Sequence, residues 1–394
     1  MKYTILPILI LGFAAGAQAQ GLLGVLPKTS AEQIETKPIT FGVSAHVGWD
    51  SNVNTTSANQ GDEVDSPFVG GSVSLDYRYV TERTVVSLGA TGGANYYFDQ
   101  VDPFDEVLYN LRVAGSLTHA FTDRLSIDDK FYVGYESEPN YIFGSSINRR
   151  SDEYMYAYND FSVNYLWTDR LTSSTSVSVQ AIDYEEDIVS GSEDRVTYGA
   201  RQLFRYAVSE QTGMRAEYRY QYTDYDNGLE ATRHYALVGF DHQIDEYTML
   251  MAMVGVEFYE YDLSDETLPY GELGISRALT EALSLRIASR YGMEDVGLGT
   301  TGYRSNKTWR TNADLVYQIS EKLRGNVGAS YLLTEYDGNP GIDQDLIEGR
   351  VGLTYALTAA LDVFCNYSFT SLTSDNEWSE YDRHRVMLGV NATF

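Results

Sequence analysis

A five-residue pattern occurs eight times in this chain, each copy set between two long runs in which apolar and polar residues alternate. A hydrophobic residue opens the pattern, a short step that is mostly polar follows, and Leu or Thr closes it. The copies are Val80–Thr84, Phe121–Leu125, Trp167–Leu171, Val208–Thr212, Ile244–Thr248, Leu279–Leu283, Ile319–Leu323 and Leu357–Leu361. They start 35 to 46 residues apart, so one supersecondary unit recurs through the chain. Because the flanking runs have a period of two, each copy reads as the turn of a β-hairpin.

Nine more variable segments lie between the repeated turns, near residues 51–66, 99–105, 138–151, 186–194, 227–231, 263–267, 298–304, 338–344 and 375–381. They are rich in Asp, Asn, Gly and Ser, which places them as loops. Eight turns and nine loops connect about eighteen strands. Tight turns at one end of the sheet and longer loops at the other are the layout of an outer-membrane barrel, with the turns periplasmic.

Residue parity assigns the two faces. Met214, Ala216, Tyr218, Tyr220 and Tyr222 alternate with Arg215, Glu217, Arg219 and Gln221, and Val351, Leu353, Tyr355 and Leu357 alternate with Arg350, Gly352, Thr354 and Ala356. About eighteen closed strands leave a bore too wide for side chains to fill. The apolar face therefore turns outward to lipid and the charged face lines water. The expected fold is all-β, a transmembrane antiparallel up-and-down β-barrel of about 18 strands. A soluble β-propeller also repeats at about 40 residues, but its blades use four short strands and these units hold two long ones.

Residues 1–19 carry Lys2, an apolar stretch and Ala17-Gln18-Ala19, the layout of a signal peptide, and the stretch is too short for a spanning helix. Residues 20–40, with Pro27 and Pro38 and no alternation, read as a periplasmic tail that could also plug the bore. Residues 41–394 form the barrel. The 33 Tyr and only 8 Pro suit strands with aromatic belts. A net charge of −28 argues against nucleic acid as a partner. It fits loops that meet the cation-bridged lipopolysaccharide face of an outer membrane. The single cysteine, Cys365, forms no internal disulfide and falls on an apolar strand face.

Around the fourth turn, parity sets Arg205 opposite Arg215 and Arg201 opposite Arg219, all inward. Like charges in register destabilise a strand pair, so the ladder needs acids such as Glu217, or else it forms a basic track for an anionic group that Arg can grip with two parallel bonds. Further candidate pore-lining arginines are Arg78, Arg112, Arg286, Arg290, Arg324, Arg350 and Arg385; Tyr97, Tyr132 and Phe364 also point inward. Asp76, Glu136, Glu272 and Glu348 are candidate counter-charges. No His-Glu-x-x-His spacing or nucleophile elbow occurs, and residues 337–345 depart from a calcium-loop register. No catalytic residue, cofactor or metal is expected.

The last run, Val386 to Phe394, resembles the final strand of outer-membrane barrels, whose terminal aromatic, here Phe394, is read by the barrel-assembly machinery. Val43-Ser44-Ala45-His46-Val47-Gly48-Trp49-Asp50-Ser51-Asn52-Val53, with its Asp-x-Asn-Val exit, resembles the putative beta-barrel porin 2 family. That resemblance implies a component of exopolysaccharide secretion, working with a periplasmic polysaccharide-export protein. No variable segment exceeds about sixteen residues, so little material is available for an inward-folded loop, and a wide conduit for a polymer is expected. The alternatives are a diffusion porin for small solutes and a closed barrel serving as adhesin or scaffold. The lipid face shows no evident polar seam, which points to a monomer.

Overall fold

The structure is a computed structural model that describes residues 38–59, 61, 63–99, 106–137, 153–184, 194–226, 228–261, 264–294, 305–337 and 342–394. The expected signal segment and nearly all of the expected tail lie outside the described residues. Eighteen strands follow in chain order. They are β1 (Ile39–Asp50), β2 (Ser66–Val80), β3 (Thr84–Tyr97), β4 (Val107–Ala120), β5 (Leu125–Glu136) and β6 (Tyr154–Leu166). Then come β7 (Leu171–Tyr184), β8 (Arg195–Ala207), β9 (Thr212–Tyr225), β10 (Glu230–Asp245), β11 (Thr248–Tyr261) and β12 (Ser264–Thr280). The last six are β13 (Leu283–Met293), β14 (Ser305–Gln318), β15 (Leu323–Asp337), β16 (Ile342–Ala356), β17 (Leu361–Ser374) and β18 (Tyr381–Thr393).

Every strand pairs antiparallel with its sequence neighbours, and β1 pairs with β18 from Gly42 opposite Thr393 to Asp50 opposite Arg385. The sheet is therefore a closed barrel and leaves no edge. The closing strands end on a reciprocal pair in which Phe394 N donates to Phe41 O at 2.8 Å and Phe41 N to Phe394 O at 3.1 Å. The first strand starts at Ile39, two residues before the expected boundary.

All eight repeated turns fall where the sequence places them, and the structure explains their composition. The opening hydrophobe of each copy is 40 to 55 % exposed on the outer surface, from Leu279 to Trp167, so together they form a belt at the turn end of the barrel, the position of an interfacial girdle. The second residue, always Thr, Ser or Asp, turns its side-chain oxygen back onto the turn's own amides. Thr122 Oγ1 accepts from Arg124 N at 3.1 Å and Leu125 N at 3.0 Å; Ser320 Oγ does the same for Lys322 and Leu323, and Asp245 Oδ1 for Tyr247 N at 2.8 Å. Short side chains that satisfy a turn's orphan donors are favoured there.

Parity holds on both faces. Met214 and Tyr218 are each 50 % exposed on the outside, whereas Glu217 and Arg219 are buried within the barrel. Two expectations need correction. Residues 264–267, read as loop, belong to β12, which pairs with β11 from Tyr261 opposite Ser264 onward. Pro269 is tolerated there because β12 has no β13 partner before Gly271. The lipid face, read as seamless, carries polar pairs on β5 to β8. Asn159 Nδ2 donates to Asp129 Oδ1 at 2.8 Å, and Thr175 Oγ1 to Gln202 Oε1 at 2.6 Å. Each pair satisfies internally what lipid cannot.

Candidate functional site: the lumen

The inner wall differs between its two halves. Toward the turns small side chains such as Ser74, Gly89, Ser116, Ser174, Gly213 and Gly239 stand among longer ones such as Arg205, Arg286, Arg324 and Phe364. Toward the loops it carries large ones packed on one another. Tyr132, Tyr154, Tyr156, Tyr158, Ile182 and Tyr184 form one cluster, and Tyr235, Leu237, Met253 and Tyr270 another. Among the described residues the buried inward clusters of large side chains lie toward the loop end.

Charge follows the same division. In the outer half arginines are shut in with carboxylates. Arg219 donates to Glu217, to Glu272 at 2.8 Å and to the Tyr270 hydroxyl at 3.1 Å, and Tyr270 itself donates to Glu272. Arg290 and Arg310, directly opposite each other in register, share Glu294 at 3.3 and 2.8 Å. Arg112 donates to Glu136 at 2.7 Å, which also accepts from Tyr132. A charge is tolerable in such a buried setting only when paired and hydrogen-bonded.

The first loop turns into the barrel. Asp50, fully buried, accepts from Arg383 Nε at 2.9 Å and Arg383 Nη2 at 2.5 Å, with Arg385 Nε at 3.8 Å. Asn52 donates to Thr56 O at 2.8 Å and to Asp382 O at 3.3 Å, and accepts from Thr56 N at 2.9 Å. Val53, 0 % exposed, packs on the inward-facing Phe68, Tyr97, Leu108 and Met387. Phe68 lies across Gly48, where a Cβ would come within 2.3 Å of its ring. Ser57 and Asn59 then reach the last loop by donating to Glu377 O at 2.9 and 3.0 Å. The Asp50-x-Asn52-Val53 exit is thus a clasp that holds the loop on the inner wall. The sequence left little material for an inward-folded loop, yet this first segment does turn inward, because side-chain bonds pin it to the wall.

The ladder lies in the expected register, Arg205 opposite Arg215 and Arg201 opposite Arg219, but its members differ. Arg205 holds Asp241 in a two-pronged pair at 2.5 to 3.1 Å, and Arg219 is neutralised as described. Among the described residues Arg201 hydrogen-bonds Ser176 Oγ at 3.0 Å and Arg215 the Met251 sulfur at 2.8 Å, and neither has a carboxylate within 4.0 Å. Arg350 is shared by Glu348 at 3.3 Å and Asp314 at 3.5 Å. Arg286 and Arg324 face the water-lined half with no carboxylate within 4.0 Å among the described residues. Of the candidates, Arg219, Glu217 and Arg290 face inward but are nine-tenths or more buried, so they build the wall. Sequence reasoning missed Arg233, Arg310 and Arg383 with Glu257, Glu294 and Asp241, and named Asp50 only as part of the exit motif, not as a counter-charge. Inward parity marks all of them, but parity alone does not say which inward acid each arginine meets.

A closed, lipophilic-faced barrel of eighteen strands around a polar lumen is a porin-like protein of the outer membrane. Residues 278–394 match the family described as Putative beta-barrel porin 2, in line with the resemblance read from the first strand. No curated protein matches the chain. Among solved structures it is similar to OpdK of Pseudomonas aeruginosa, solved with vanillate, at 13 % identity and TM-score 0.45 over 90 % of this chain and 98 % of that one. It is also similar to OccAB3 of Acinetobacter baumannii, at 11 % and 0.46 over 90 % and 98 %. A third is the siderophore receptor PirA of Acinetobacter baumannii, at 8 % and 0.44 over 91 % and 81 %.

Proposed function

We propose that this barrel is a channel for hydrophilic cargo and that the cargo is a polysaccharide leaving the cell. The observation that carries the reading is closure of eighteen strands around a charged inner face, a circumference too large for side chains alone to fill. Such a lumen suits a solvated, extended chain. A periplasmic polysaccharide-export protein is the partner this reading calls for.

A second reading, passage of small solutes, is favoured by the inward clasp of the first loop, which narrows the mouth as a diffusion porin requires. Planar-bilayer conductance and a deletion strain separate the two. Export expects conducting barrels and loss of secreted polymer on deletion. Conductance with undiminished secretion favours the solute porin. Absence of any conductance overturns both and leaves a scaffold or adhesin.

A further inference from the structure

We infer that Arg201 and Arg215 form a binding site for an acidic, carboxylate-bearing oligosaccharide on the wall made by β8 and β9; this deepens the export reading and rests on it. The chain supplies acids to its lumenal arginines with some regularity: Asp241 to Arg205, Glu272 to Arg219, Glu136 to Arg112, Asp50 to Arg383. Within the same four-arginine ladder two members are left out. Arg201 has a serine hydroxyl and Arg215 a thioether sulfur, a weak acceptor. Arg215 Nε is enclosed and bonds to nothing. Glu217, which lies between them on the inward face, turns its carboxylate to Arg219. Asp160 faces the lumen two strands away on β6 and makes no ion pair with Arg201 within 4.0 Å.

Two guanidinium forks with no carboxylate within 4.0 Å among the described residues, while their ladder neighbours have one, are donors for groups the protein does not itself place against them. Planar forks bind carboxylates with two parallel bonds. Four residue steps separate the two positions in register, about 13 Å of strand at about 3.3 Å per residue. A small anion held by one fork leaves the other unused, whereas an extended chain with repeated carboxylates engages both. The site runs from the level of the Arg205–Arg215 pair, nearer the turns, to that of the Arg201–Arg219 pair.

The test is isothermal titration of the detergent-solubilised full-length barrel with oligogalacturonate, and with a maltooligosaccharide of equal length as the neutral counterpart. Current block by the same probes in planar bilayers runs beside it. Wild type should bind the acidic oligomer and not the neutral one. Arg201→Gln with Arg215→Gln should weaken binding about tenfold or more, since each lost charged hydrogen bond carries roughly that factor. Arg201→Lys with Arg215→Lys should retain part of it. Heat-dependent gel mobility confirms that each variant is a folded barrel. Equal affinity in the glutamine variant, or equal binding of both probes by wild type, overturns the site. Binding without conductance would overturn the channel and leave the site standing.

Discussion

Asp50 closes the barrel seam and anchors the inward loop at once, so its replacement tests whether the clasp is as strong as its geometry implies. Asp50→Asn keeps the size and one acceptor oxygen but removes the charge opposite Arg383, which is 7 % exposed, and Arg385. Breaking a buried pair by removing one partner costs about 3 to 5 kcal/mol, because the remaining charge stays buried and uncompensated. Since Asn still accepts one bond, a loss near 3 kcal/mol is expected. Guanidinium-induced unfolding in phospholipid bilayers, followed by tryptophan fluorescence, measures it. The discriminating experiment is the cycle with Arg383→Met. The double variant should recover most of the loss, leaving a residue from Arg385, because neither buried charge of the pair is then orphaned. Single variants within about 1 kcal/mol of wild type, or strictly additive losses, would refute the clasp.

Val53→Asp should lift the first loop from Phe68, Tyr97 and Leu108 at a cost of roughly 1.5 to 3 kcal/mol of local burial, raising single-channel conductance; unchanged conductance means the loop does not limit flow. Thr168→Ala removes the acceptor for Arg170 N and Leu171 N and should cost about 0.5 to 1.5 kcal/mol, while Thr168→Asp should be neutral, as Asp245 already performs this role in the fifth turn. A similar cost for both variants would show that the hydroxyl's bonds are not what matters. Replacing Asp129 and Asn159 together by Leu should stabilise a lipid-facing wall by on the order of 1 kcal/mol. Loss of stability, or a change of assembly size on native gels, would mean that this seam meets another subunit.

The strand number, the position of every repeated turn and the face of nearly every residue were legible in the sequence, because turn chemistry and a period of two are local properties. The ladder's register followed from the same arithmetic, since a tight turn fixes which residues of a hairpin oppose. Trp167 and its seven counterparts were visible as a pattern, though their role as an outer belt needed the closed surface.

Which arginines are neutralised could not be read that way. Arg219 meets Glu272 from three strands away, and Asp50 meets Arg383 across 333 residues of sequence. Such meetings depend on how β1 closes on β18 and on how side chains of unequal length converge toward the axis. Sequence decided that charge faces a lumen; only the closed barrel decided where that charge is cancelled and where it is left for a ligand, because cancellation is a distance between strands that the chain order does not contain.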